Sequence, residues 1–312
     1  MIKPKALNIG DRVAIIAPSS PTTEENVLKA EKAVKKMGLD PIIYPSCYSY
    51  HGHLSGTDII RAKDINDAFK DPTIMGIICL KGGYGTPRLL NLIDYELIKN
   101  NPKYFLGYSD ITALHMAFNK ICKLVTYHGP MASAGWIKDL DPYTKNYLKL
   151  SLFSNEKLNL LKNPSGEDFK TLVPGIAKGK IIGGNLSLLA STLGSPYEID
   201  TKDKILFMEE VGEDNYCIDR MLMSLSLAGK FQDCRGIILG TFTNCKPDLK
   251  ADSFQDLSLD EIFEEIIVPF NKPTLSNFRA GHNYPQPTFP MGVEVELDAD
   301  NRNITFLEAS NI

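Results

Sequence analysis

Apolar and polar positions change in blocks along the first half of the chain. Residues 12–18, Arg-Val-Ala-Ile-Ile-Ala-Pro, form a short apolar run closed by a Pro-Ser-Ser-Pro turn, which predicts a buried strand. Residues 24–37 place Val27, Ala30, Val34 and Met37 at helical spacing, and Gly38 marks the stop. A strand at 41–44, a helix at 59–69 ending before Asp71-Pro72 and a strand at 75–80 follow. Next come a helix over about 86–99, a strand ending near Gly107 and a helix from Asp110. Repeated strand–helix alternation predicts a doubly wound, Rossmann-like α/β domain, with a parallel sheet covered on both faces.

Between 139 and 178 the periodicity loosens. Pro142, Pro164-Ser-Gly166 and Pro174-Gly175 punctuate a polar stretch, which reads as a connecting segment between domains at 1–138 and 179–312. The second domain is predicted to be smaller and mixed α/β. Its strands lie at 179–182, 205–208 and 236–239, and its helices at 185–193, 215–228 and 258–267. Two alternating strands, 291–297 and 303–307, end the chain as a hairpin across Asp298-Ala-Asp-Asn-Arg302.

Charge removes one class of partner. With 34 Lys and Arg against 38 Asp and Glu, the 312-residue chain carries no basic footprint for nucleic acid. Its six cysteines include no C-x-x-C pair, and Cys79, inside an apolar run, reads as a reduced, buried thiol. Neither a signal-peptide core nor an apolar segment of membrane-spanning length is evident, so the expectation is a cytoplasmic protein without a membrane partner.

Candidate chemistry gathers at strand ends. Ser109 closes the apolar stretch Lys103-Tyr-Phe-Leu-Gly-Tyr-Ser109 directly before a helical run. A strand–turn–helix junction lifts a side chain off the sheet edge and aims backbone N–H groups at whatever a nucleophile attacks. A serine there also serves as a helix cap, as Asp110 would, and the elbow pattern G-x-S-x-G is incomplete. Lys81-Gly-Gly-Tyr-Gly85 follows the third strand; it reads either as a tight turn or as backbone donors for an oxyanion or a phosphate, and it matches neither G-x-x-x-x-G-K-[ST] nor the full G-x-G-x-x-G of nucleotide sites. Period two on the strand ending at Glu209-Glu210 puts the two carboxylates on opposite faces, positioned to orient an imidazole or simply to be solvated. His282, in Arg279-Ala-Gly-His-Asn-Tyr-Pro-Gln-Pro287, is the candidate base, with His128 as runner-up. His115 lies six residues along the helix from Ser109, and His51 and His53 lack a third metal ligand at useful spacing.

Taken together and in order, these stretches resemble the LD-carboxypeptidase family of serine peptidases. The matching residues are 10–20, Lys81-Gly-Gly-Tyr-Gly85, Gly107-Tyr-Ser-Asp-Ile-Thr-Ala-Leu-His115, His128-Gly-Pro130, Gly183-Gly-Asn-Leu-Ser187, Leu206-Phe-Met-Glu-Glu-Val-Gly-Glu213, Ile218-Asp-Arg-Met-Leu222 and Gly281-His282. The resemblance implies a Ser109–Glu209–His282 triad contributed by both domains. It also implies an oxyanion hole from the backbone N–H of Asp110 and one from Gly82 or Gly83, with no cofactor and no metal. Family members remove the terminal D-alanine from murein tetrapeptides in cell-wall recycling, so the implied partner is a small muropeptide and the implied assembly a homodimer. A related branch hydrolyses the peptide-nucleotide microcin C, for which Trp136 is the one tryptophan able to offer an adenine platform. A non-catalytic muropeptide binder is the remaining alternative. Lys81 stands where arginine is common, and Tyr216-Cys217-Ile-Asp-Arg replaces the more usual Tyr-Arg-Ile-Asp-Arg.

Overall fold

The computed structural model describes residues 1–247 and 256–312, which form two compact units. The first comprises Met1–Lys157, Pro287–Gly292 and Ala309–Ile312; the second comprises Leu158–Gln286 and Val293–Glu308.

In the first unit the chain runs β1 (Arg12–Ile16), α1 (Glu24–Lys36), β2 (Asp40–Ile43), α2 (Asp58–Lys70), β3 (Gly76–Cys79), α3 (Tyr95–Asn100), β4 (Tyr104–Gly107), α4 (Thr112–Ala117), β5 (Thr126–His128) and α5 (Pro142–Phe153). Strands β1 to β5 are parallel in the order β2-β1-β3-β4-β5, and Phe289–Met291 adds an antiparallel edge to β5. Every residue of β3 and β4 is buried, the mark of central parallel strands covered on both faces. Helix α1 buries Val27, Ala30 and Val34 from one stripe, and Thr23 caps it by accepting from the Asn26 N–H.

The stretch expected as one helix over 86–99 is broken. A 3-10 turn occupies Thr86–Leu92, and Asp94 caps a separate α3 by accepting from the Leu97 N–H. Pro87 and the cap at Asp94 define two starts where periodicity alone reads one.

The second unit contains β6 (Leu160–Leu161), β7 (Lys170–Val173), β8 (Ile176–Asn185), α6 (Leu186–Ser191), β9 (Lys204–Val211), α7 (Asn215–Leu227), α8 (Lys230–Asp233), β10 (Gly236–Thr243), α9 (Leu259–Ile266) and β11 (Thr274–Ser276). Phe289–Met291 is β12, and β13 (Glu294–Asp298) and β14 (Asn303–Phe306) follow it. The eight-stranded sheet has the order β6-β14-β13-β8-β9-β10-β11-β7. Its middle, β8 to β11, is parallel, and the flanking strands are antiparallel. The fold is therefore α/β, a Rossmann-like parallel unit followed by a smaller mixed one with strands at its end.

Two stretches depart from the sequence reading. The segment 139–178 holds α5, started by Asp141 accepting from the Thr144 N–H with Pro142 behind it, together with β6, β7 and the first residues of β8. The strand expected over 291–297 is two strands: Gly292 (φ 92°) separates β12, in the first unit's sheet, from β13 in the second.

Candidate active site

The first unit's order β2-β1-β3 reverses direction at β1/β3, so the loops after those strands diverge and leave a crevice at their carboxyl ends. Ser19 and Ser20 follow β1, Lys81–Gly85 follows β3, and Ser109 follows β4. Ser109 is half-buried and holds φ 65°, the left-handed region, at the head of the 3-10 turn Ser109–Ile111 that leads into α4. For a residue with a Cβ that conformation costs about 1–2 kcal/mol, which the surrounding contacts must offset. A serine acting only as a helix cap would adopt extended φ/ψ instead.

Gly82 lies against this serine. A Cβ on Gly82 would come 3.0 Å from both Cβ and Oγ of Ser109 and 3.3 Å from Met131 Cε, so any side chain there would press on the serine. Gly83 is exposed with φ 119°, and the Tyr84 N–H donates to Ser20 Oγ at 3.2 Å.

Asp110 contributes more than a backbone amide. Its carboxylate is fully buried and accepts from Ser19 Oγ at 2.5 Å and from the Thr86 N–H at 2.9 Å, while Thr86 Oγ1 donates to the Asp110 carbonyl. One side chain thereby ties the loops after β1, β3 and β4. Burial pushes its carboxyl above the usual range, partly opposed by the Ser19 and Thr86 hydrogen bonds. Fully buried Arg61 assists by donating to the carbonyls of Pro18 and Gly85 at 2.5 and 3.0 Å. The spacing in the sequence carries no hint of either role; only the adjacency of β1, β3 and β4 creates them.

In the second unit Glu209 and Glu210 stand at the carboxyl end of β9, with Asn185 at the end of β8 and Thr241 near that of β10. Glu209 is fully buried, and its Oε2 accepts from His282 Nδ1 at 2.8 Å. Its Oε1 has no hydrogen-bond partner among the described residues, an unusual state for a buried carboxylate. The His282 loop is fastened to β10: the Phe278 N–H donates to the Leu239 carbonyl at 3.1 Å and the Thr241 N–H to the Ala280 carbonyl at 3.0 Å. Gly281 then turns the chain with φ 132°, and a Cβ there would lie 2.7 Å from Glu209 Oε2 and 2.8 Å from Thr241 Oγ1. Burial lowers the His282 pKa, but the Glu209 charge and hydrogen bond, with the Glu210 charge, outweigh it and leave the value raised. The Nδ1–H···carboxylate bond leaves Nε2 as the nitrogen able to take a proton.

Glu210 faces the other way, as period two predicts. It accepts from Asn185 Nδ2 at 2.8 Å, from the N–H and Oγ of Ser187 at 2.7 Å each, and from the Val211 N–H at 2.8 Å. The Gly183-Gly-Asn-Leu-Ser187 motif is thus bound to β9 through Glu210.

The remaining histidines have other surroundings. His128 is fully buried, with ring centroids of Tyr108 and Phe289 at 5.8 and 5.1 Å. His115 Nε2 donates to the Gly107 carbonyl at 2.9 Å, and burial lowers its pKa to about 4, so it holds the strand before Ser109 as a neutral ring. His51 and His53 are exposed, and no group of three or more His, Cys, Asp or Glu among the described residues is arranged to hold a metal ion. All six cysteines are free thiols, and burial raises that of Cys79 well above its ordinary value. Trp136 is 5% exposed and donates Nε1–H to the Pro130 carbonyl at 2.7 Å. No helix among the described residues is long and apolar enough to cross a membrane.

A serine in the left-handed region on a strand–helix turn, and a Glu–His hydrogen bond with a buried carboxylate, are residue types that serine hydrolases use. Residues 13–129 match the LD-carboxypeptidase N-terminal domain and residues 178–297 the LD-carboxypeptidase C-terminal domain. The chain belongs to the LD-carboxypeptidase family and is a serine-type carboxypeptidase. It is 41% identical to a Bacillus subtilis protein named "Probable murein peptide carboxypeptidase", over 95% of this chain and 91% of that one. Identity to the Escherichia coli microcin C7 self-immunity protein MccF is 28%, over 97% and 94% of the two chains. The solved MccF-like protein of Bacillus anthracis superimposes with a TM-score of 0.86 at 30% identity, covering 99% of this chain and 100% of that one.

Proposed function

We propose that the chain removes the terminal D-alanine from murein tetrapeptide, cutting the bond between an L-configured centre and D-Ala, with Ser109, Glu209 and His282 as its triad. His282 Nε2 takes the Ser109 proton as Oγ attacks the scissile carbonyl. Nε2 then returns that proton to the departing amine. Water hydrolyses the resulting ester with the same base, and the Ser109 proton is restored. Glu209 holds the ring in the tautomer with Nε2 unprotonated and stabilises the imidazolium. The backbone N–H of Asp110 and that of Gly83 or Gly82 receive the oxyanion, a contribution whose loss costs about 10²–10³ in turnover in comparable hydrolases.

The observation that carries the reading is the 2.8 Å bond between His282 Nδ1 and a carboxylate with no exposure, which commits one ring nitrogen and reserves the other. The left-handed Ser109 with Gly82 packed against it supports the nucleophile's assignment. The higher identity to the murein peptide carboxypeptidase than to the immunity protein favours a muropeptide over a peptidyl-nucleotide.

The test is mass spectrometry of murein tetrapeptide incubated, with a chelator, with wild type, Ser109→Ala and His282→Ala. Loss of one D-alanine is expected with wild type alone. Equal cleavage by Ser109→Ala would remove that residue from the chemistry. An intact tetrapeptide beside a cleaved aminoacyl-sulfamoyl nucleotide would transfer the chain to the immunity-type reading.

A further inference from the structure

A cavity of about 370 Å³ in the first unit lies among α1, the turn that follows β5 and α5, and its lining includes none of Ser19, Ser20, Lys81–Gly85 and Ser109. Six lysines line it, Lys29, Lys32, Lys36, Lys138, Lys145 and Lys149, and Asp139 is the single acid in the lining. This concentration stands out in a chain with more acidic than basic residues. Lys29 is paired with Glu25 at 2.7 Å and Lys36 with Asp139 at 3.6 Å; the other four have no carboxylate within 4.0 Å among the described residues.

Helix α1 shows that the arrangement is not simply a charged surface. On its other side Lys35 has Glu31 one turn back at 2.6 Å, the favourable pattern for a solvated face. Toward the cavity the same helix sets Lys32 one turn before Lys36, and α5 sets Lys145 one turn before Lys149. Each like-charge i,i+4 pair disfavours its own helix, and the two pairs converge on one concavity, where an anion would relieve both.

The composition of the lining narrows the anion. The cations are all lysines, whose ammonium groups act as mobile point charges and can gather round tetrahedral phosphate oxygens from several directions. One phosphate engages two or three ammonium groups, and the excess here calls for more than one. Met37, Ile137 and Leu140 add an apolar margin.

We propose that this cavity binds a diphosphate group, either free or as the head of a small organic ester. The site is separate from the peptidase chemistry and does not depend on it.

Trp136, the only tryptophan of the chain, forms part of the wall and reports on the site directly. The experiment is a fluorescence titration of the full chain, without divalent cations and at low salt, using pyrophosphate, orthophosphate, citrate and ADP. Saturable binding of pyrophosphate, at least tenfold tighter than orthophosphate or citrate, is expected. The double variant Lys145→Gln/Lys149→Gln should weaken it by about tenfold or more, since each lost charge-assisted contact is of that order. Lys35→Gln, on the opposite face of α1, should leave it unchanged. ADP binding tighter than pyrophosphate identifies an ester as the ligand, and weaker binding identifies free diphosphate. Citrate binding as well as pyrophosphate, an unchanged affinity in the double variant, or no saturable signal by fluorescence and by calorimetry would each overturn the assignment. All the substituted lysines are exposed, so folding of the variants is checked by their unaltered thermal transition without ligand.

Discussion

At the scale of single residues, the His282–Glu209 pair sets a pH dependence whose sign can be worked out. The folded histidine has a raised pKa because the neighbouring carboxylates outweigh its burial. Protonation is therefore linked to folding: the pair's contribution to stability is complete below about pH 6.5 and is lost as pH rises through the folded value. For the proposed catalysis the direction is opposite, because His282 must be neutral to act as the base. The acid limb of kcat/KM is expected above pH 6.5, and Glu209→Gln should move it downward while lowering kcat by about 10²–10⁴. Rate profiles from pH 5 to 9 for both proteins check this. An acid limb unmoved by the substitution would separate Glu209 from the titrating base. Patterning placed Ser109, Glu209 and Glu210 at strand ends, with period two setting the two carboxylates on opposite faces, but only the family resemblance linked Ser109, Glu209 and His282. What lay beyond reading was Asp110, whose carboxylate proves to be a buried anchor rather than a cap.

At the scale of elements, the carboxyl ends of β1, β3 and β4 are held as one piece by Asp110. Removing its carboxylate leaves the Ser19 hydroxyl and the Thr86 N–H buried without their acceptor. Asp110→Ala is expected to lose about 1–3 kcal/mol of unfolding free energy, seen as a lower urea midpoint with an unchanged slope. Asp110→Asn should lose less, because both bonds go to Oδ2 and an amide oxygen in that place still accepts them. Equal stability of all three proteins would show that the loops are held by other contacts. The elements themselves were mostly legible, since buried parallel strands are continuous apolar runs and α1 and α9 carry their own stripes and caps. Helix α9 adds a reciprocal Ser258–Glu261 capping box to the helix expected over 258–267. The exceptions share a cause: at 86–100 and at 291–294 the break comes from a cap or a glycine inside a continuous periodic stretch, where the apolar pattern does not change.

At the scale of the whole molecule, the first unit is not a contiguous piece of sequence. Beyond Lys157 it takes β12, which pairs antiparallel with β5, and the last four residues. Asn311 Nδ2 donates to the carbonyls of Ser151 and Ser154 at 3.0 and 2.9 Å, its Oδ1 accepts from the Tyr127 hydroxyl, and the Ile312 N–H donates to the Pro4 carbonyl at 3.0 Å. Deleting residues 309–312 should lower the melting temperature by roughly 5 °C or more, as several buried bonds of about 1 kcal/mol each disappear. A fragment 1–138 should fail to fold cooperatively, since it lacks α5, β12 and the tail. Calorimetry of the shortened chain and circular dichroism of the fragment check both outcomes. A fragment 1–138 with a sharp native transition would contradict this account.

By itself the sequence determined the fold class, the alternation of strands and helices, and the strand ends at which reactive side chains stand. Each of these follows from short-range physics: backbone periodicity, capping and the burial of apolar runs act over a few residues. Tertiary structure alone decided which strand ends became neighbours, that Asp110 would join three loops, that Glu209 would meet His282, and that two lysine-bearing helices would face one cavity. Those outcomes depend on sheet order and on contacts between residues tens to hundreds of positions apart, and local patterning carries no record of such distances.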